Sequence, residues 1–318
     1  MKRFSVRRVF GFSAALAILV AASVFASVRA VMPAAHIDTG AMADQVIAAR
    51  NRGVPGAVVR RRERVAAELA DAGSPFWATK YYEGDGLGEN MSVDLAPRSG
   101  IAATWFGCLG LYGANEGDVE VIGDRRLAFH FNRPNREKGK PTFGTFPDAV
   151  TVVRWGERRY LIPDERQIEF VNAINHGLEP SSINMELFLL AREDQDKPVS
   201  GLPDLPPDML AQIRREPLLV RVSSVEALGD RDSFGGPVCP FRLRFHVPAG
   251  EKIVPGLELY PSEHEMHESA YVKRIDGDEA VDEMTLLDRC AEAEDKPAAG
   301  WLLTSGSYAG DADRPRKT

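Results

Sequence analysis

The chain has 318 residues, 44% hydrophobic and 27% charged, enough apolar material for one large or two modest cores and too much for wholesale disorder. Its formal charge is −7, and removing a leader through Ala26, with four basic residues and no acid, makes it −11. So acidic a body repels phosphate backbones, and no nucleic-acid partner is expected.

Lys2, Arg3, Arg7 and Arg8 stand before an uncharged run, Val9 to Val28, with Arg29 just behind it. At about 1.5 Å per residue the run is long enough to cross a hydrocarbon core of roughly 30 Å. Val24-Phe25-Ala26 and Val28-Arg29-Ala30 also place small or branched residues where signal cleavage needs them. Residues 1–30 therefore read either as a cleaved signal peptide or as a retained inner-membrane anchor. In both cases the basic flank keeps the N-terminus inside and sends the rest to the periplasm or another extracytoplasmic space.

Residues 31–80 read as a tether followed by an amphipathic helix over Val58 to Ala72, opened by Pro55-Gly56 and ended by Gly73-Ser74-Pro75. The basic cluster Arg60-Arg61-Arg62 with Arg64 fits a solvated face of that helix, the reading favoured over contact with an anionic surface. From Tyr81 the period changes to alternation. Met91 to Leu95 with Ile101 to Trp105, Val119 to Val121 with Leu127 to Phe131, and Val150 to Trp155 with Tyr160 to Ile162 form three successive hairpins. Asp164 and Gln167 resemble a capping box opening a helix that closes at Gly177 and covers the open face of the sheet. The fold class expected is mainly β, within α+β: a helix-covered antiparallel meander over 81–193, then a small barrel or sandwich over 217–306. Residues 194–216 hold Pro198, Pro203, Pro206 and Pro207 and read as a stiff linker, and 307–318 as a disordered tail.

Ser262 to Ser269 holds the one local concentration of metal-ligand types. His264 and His267 would hold zinc or copper, but they stand one residue closer than the zincin spacing, and a solvated acidic loop is the favoured reading. Glu83 to Asn90 interleaves glycines with acids, so Asp85, Glu89 and Asn90 are the candidates for a ligand loop, weighed against simple turn chemistry. Cys239 and Cys290 are the candidate disulfide in an oxidising compartment, and Cys108 sits in an apolar run as a structural thiol. No nucleophile elbow, Cys-x-x-Cys or dinucleotide fingerprint is present in the sequence, and no cofactor is expected.

Gly84-Asp85-Gly86-Leu87-Gly88, Ala96-Pro97-x-x-Gly100, Trp105-x-Gly107-Cys108-Leu109-Gly110-Leu111-Tyr112 and Trp155-Gly156-x-Arg158-x-Tyr160-Leu161-Ile162-Pro163 together form a pattern that resembles a set of uncharacterised exported bacterial proteins. The resemblance covers Tyr81 to Pro207. It implies a discrete domain and brings no activity. The function expected is a non-enzymatic binding or assembly module of the cell envelope, with envelope proteins as partners. The alternative is a hydrolase acting on an envelope polymer through a metal or through carboxylates.

Overall fold

Alternating side chains from Tyr81 onward build a closed wall. In the computed structural model, residues 53–71, 73–84, 90–107, 110–133, 146–182, 188–233, 236–262, 268–287, 289–291 and 296–306 are described. Strands β1 (Lys80–Glu83), β2 (Asn90–Ala96), β3 (Gly100–Gly107), β4 (Gly110–Val121), β5 (Arg126–Phe131), β6 (Ala149–Trp155), β7 (Arg158–Pro163) and β8 (Leu189–Ala191) pair antiparallel in chain order. Tyr81 opposite Ala191 and Tyr82 opposite Leu190 then join β8 back to β1. The expected meander is therefore a barrel with no open face to cover.

Its interior follows the period of two. Tyr81, Met91, Val93, Leu95, Ile101, Ala103, Leu127, Phe129, Val150, Val152, Leu161 and Leu189 share one apolar cluster with Trp77 and Phe146. Each large side chain so buried contributes roughly 1.5–3 kcal/mol. Helix α1 (Gly56–Leu69) packs on the outside of β2, β3 and β4. The solvated face expected for Arg60 to Arg64 is only partly solvated. Arg61 donates to Glu116 Oε2 at 3.0 Å and to the Ser99 carbonyl at 2.8 Å, and Arg62 turns onto β2 and β3.

Helix α2 (Gln167–Asn175) follows a 3-10 turn over Asp164–Arg166, and no side chain caps it. The capping box is not formed, because Asp164 is taken by Thr151 Oγ1 at 2.7 Å and by Arg126. Phe170 through Asn175 are buried without a break, so the helix has no solvated face. Ile168, Phe170, Val171 and Ile174 join the outward residues Val153, Trp155, Tyr160 and Ile162 of β6 and β7 to the core of the second body.

That second body contains β9 (Leu219–Ala227), β10 (Arg231–Ser233), β11 (Gly236–His246), β12 (Glu258–Pro261), β13 (Ala270–Asp276), β14 (Glu279–Leu286) and β15 (Leu302–Thr304). The order β11-β14-β13-β12-β15-β9 returns to β11, giving a second closed barrel with β10 as a flap on β11. Val222, Leu243, Phe245, Leu259, Val272 and Met284 lie within its core.

Residues 194–216, expected as a linker, lie along the fold instead. Asp194 is fully buried under Arg159, Trp155 Nε1 donates to the Gly201 carbonyl at 3.0 Å, and Asp204 N donates to the Arg154 carbonyl at 2.9 Å. The prolines keep the segment extended, and the barrel supplies its hydrogen bonds. A four-residue helix, α3 (Pro207–Leu210), leads into the second barrel. Among the described residues no helix is long and apolar enough to cross a membrane, and Val9 to Val28 lies outside them.

Candidate functional site

Of the residues singled out from sequence, Asp85, Glu89, His264, His267 and Cys108 lie outside the described residues. Asn90 opens β2, buried, with its side-chain carbonyl accepting from the Tyr82 hydroxyl. Cys239 and Cys290 are joined as a disulfide. With Asp230 they form the single group of three metal-ligand residues among those described, but their sulfurs are bonded to each other. Asp230 Oδ1 instead accepts the Cys290 amide at 2.6 Å.

Tyr82 leads to a cluster on the outer wall of the first barrel that no local motif marks. With Tyr81 inward, alternation turns Lys80 and Tyr82 outward. Register places Asp94 of β2 opposite Lys80, and Thr104 follows one strand further, opposite Ser92. Above this wall α1 lays Arg62, whose Nη2 donates to Thr104 Oγ1 and whose Nε lies 3.7 Å from Asp94 Oδ2. That Nε is buried and has no hydrogen-bond acceptor. From the turn after β8, Arg192 sets its guanidinium 4.9 Å from the centre of the Tyr82 ring, a cation–π contact rather than an ion pair.

Charge in this cluster is unbalanced. Asp94 is 6% exposed, and burial pushes its carboxyl above the usual range although Arg62, Lys80 and Arg192 all pull the other way. Arg62 is itself lowered, first by burial and then by Arg192, with Asp94 opposing. The nearby Glu193 does not restore the balance, because Arg159 and Thr79 hold it. Among the described residues one carboxylate thus faces three cations, on an acidic protein. Chemically the cluster can take up negative charge through fixed donors.

A second polar group joins α2 to the second barrel. His176 Nε2 lies 2.9 Å from Glu258 Oε2, its ring is 5.3 Å from that of Tyr260, and the Tyr271 hydroxyl donates to Glu258 Oε1 at 3.1 Å. Burial would raise the Glu258 carboxyl, but hydrogen bonds from His176 and Ser269 outweigh it and hold it low. Between α3 and the loop after β11 lies a cleft of about 280 Å3, walled by Val247, Ile253, Val254 and Ile275 and edged by Asp208 and Lys252.

Sequence reasoning reached Asn90 through its glycine-rich neighbours, reached Arg62 only as part of a basic helix face, and missed Lys80, Asp94 and Arg192. The signal available was Asp94 itself, an acid at an outward position between the apolar Val93 and Leu95. Comparison with protein-family models, with curated proteins and with solved structures finds no match to this chain.

Proposed function

We propose that this chain is an extracytoplasmic, envelope-associated binding module that does no chemistry of its own. Its leader delivers it across the inner membrane with the N-terminus inside, and the outer wall of the first barrel meets the ligand or partner. The observation that carries this reading is the unbalanced charge, among the described residues, around Asp94, where Arg62, Lys80 and Arg192 converge from three separate elements. Uncompensated cations on a rigid wall are pre-organised for recognition and of little use to stability.

The test is retention of the purified mature chain on an envelope fraction from its own organism. Wild-type protein is expected to be retained, and Lys80→Ala with Arg192→Ala to be washed off. Equal retention of both would end the proposal. A reporter active only in the cytosol, fused after Thr318, is expected to stay silent.

One observation favours hydrolysis as a second reading. The His176–Glu258 pair, with the imidazole tilted 37° against the Tyr260 ring, has the form of an imidazole oriented by a carboxylate. Product release from an envelope polymer that disappears in His176→Ala would establish it, and no release by wild-type protein would remove it.

A further inference from the structure

We infer that the wall between Arg62 and Arg192 is a site for a single oxyanion group, a carboxylate or a phosphate, carried on a body with little negative charge of its own. The inference rests on the binding reading above and names the chemistry of the ligand.

Three features point there together. The buried Arg62 Nε lacks an acceptor, and 3.7 Å to Asp94 is too long for a hydrogen bond. A buried donor left open costs about 1–3 kcal/mol, so the Arg62 guanidinium is not saturated by the fold, and its accessible part is what a ligand oxygen meets. Arg192 is exposed, yet the Tyr82 ring already fixes its guanidinium, and Tyr82 is in turn tied to Asn90. Little side-chain freedom is lost when it closes on a ligand. Among the described residues the two guanidiniums and Lys80 share Asp94 as counter-charge, and an oxyanion entering between them relieves their mutual repulsion.

The rest of the chain restricts what carries that group. With a formal charge of −7 overall, the long-range field repels a polyanion. Within roughly 8 Å, the screening distance at physiological salt, the local cations dominate. Selection therefore favours an isolated charge on a neutral carrier, such as a peptide carboxylate, a sugar acid or a phosphate ester. Arg62, held by Thr104 on one side, meets such a group through its remaining N–H edge.

The experiment titrates the full mature chain with sodium acetate and with inorganic phosphate at constant ionic strength, following backbone amide shifts by NMR. Saturable shifts confined to the strands around Lys80, Asp94 and Thr104 are expected with at least one of the two ions. A response to acetate alone assigns a carboxylate carrier, and to phosphate alone a phosphate carrier. Arg192→Ala, at an exposed position, is expected to weaken binding about tenfold, with Arg192→Lys intermediate. Absence of saturable shifts with both ions, or equal binding by Arg192→Ala, overturns the inference. So does tighter binding of poly-glutamate than of either ion.

These outcomes separate from the proposal above. Envelope retention that depends on Arg192 without ion binding leaves the binding module standing and removes the oxyanion. Ion binding without such retention does the reverse.

Discussion

Arg159 grips Asp194 through both carboxylate oxygens, Nε to Oδ2 at 2.7 Å and Nη2 to Oδ1 at 3.0 Å, and its backbone amide adds a third bond at 3.0 Å. Lys197 approaches the same carboxylate, and Arg159 Nη1 reaches the Phe76 carbonyl at 2.8 Å. Burial would raise the Asp194 carboxyl, but the bonds from Arg159 and Lys197 outweigh it and hold it below the usual range. Asp194→Ala leaves the Arg159 guanidinium with Glu193 as its remaining counter-charge and two of its bonds unmade, and should cost about 1–3 kcal/mol in urea unfolding. The sign of the pH effect follows from the lowered value. This contribution is present above the unfolded carboxylate pKa of about 3.9 and is lost as pH falls through the folded value.

Asp282 behaves in the opposite way. It shares the inward face of β14 with Ala280 and Met284, lies opposite Leu243 and Val272, and has no hydrogen-bond partner at either oxygen. Burial pushes its carboxyl up to about 8, with Lys273 opposing. Below the unfolded value of about 3.9 both states are protonated and nothing is lost. Between there and about 8 the unfolded chain ionises while the folded chain does not, so this contribution falls by up to about 1.4 kcal/mol per pH unit. Asp282→Asn should show no such slope. Unfolding midpoints at pH 5, 7 and 9 check this, and parallel curves for the two proteins would contradict it.

The disulfide between Cys239 and Cys290 ties the start of β11 to the segment after β14 across a sequence separation of 51. Closing a loop of that size should stabilise the fold by about 4 kcal/mol. Cys239→Ser with Cys290→Ser, or the wild type in reductant, should lose that amount in a urea titration. An unchanged midpoint would show the bridge to be absent in solution.

Gly256 has φ +90, and a Cβ there would stand 2.5 Å from the Cγ2 of Ile168 on α2. Gly229 has φ +83 with nothing within 4 Å. Gly229→Ala should therefore cost only the conformational penalty, about 1–2 kcal/mol. Gly256→Ala adds the displacement of a packed side chain, typically 1–3 kcal/mol more. Comparing the two melting curves isolates the packing of α2 against the second barrel.

How far the fold was legible depends on distance along the chain. The hairpins β2–β3, β6–β7 and β13–β14 follow from alternation and from turns at Gly100, Gly156 and Gly277, all within a few residues. Closure of the first barrel rests on Tyr81 meeting Ala191, a pairing of the first strand with the last across about 110 residues that no local pattern specifies. Asp164 looked like a cap because spacing alone does not reveal Thr151 and Arg126 as competitors for its carboxylate. The cationic wall was hidden for the same reason, since Arg62 and Arg192 come from opposite ends of the barrel sequence. Asp282 was open to discovery, because Ala280, Met284 and Leu286 place an acid at an inward position of an apolar strand face.

Helix α2 supplies apolar side chains to both barrels at once. Neither half can be duplicated, exchanged or inherited as a separate cassette without leaving a greasy scar on its former neighbour. Recombination within 164–216 should yield insoluble chimeras, whereas insertions at the hairpin tip around Gly123 and Asp124 should pass unnoticed.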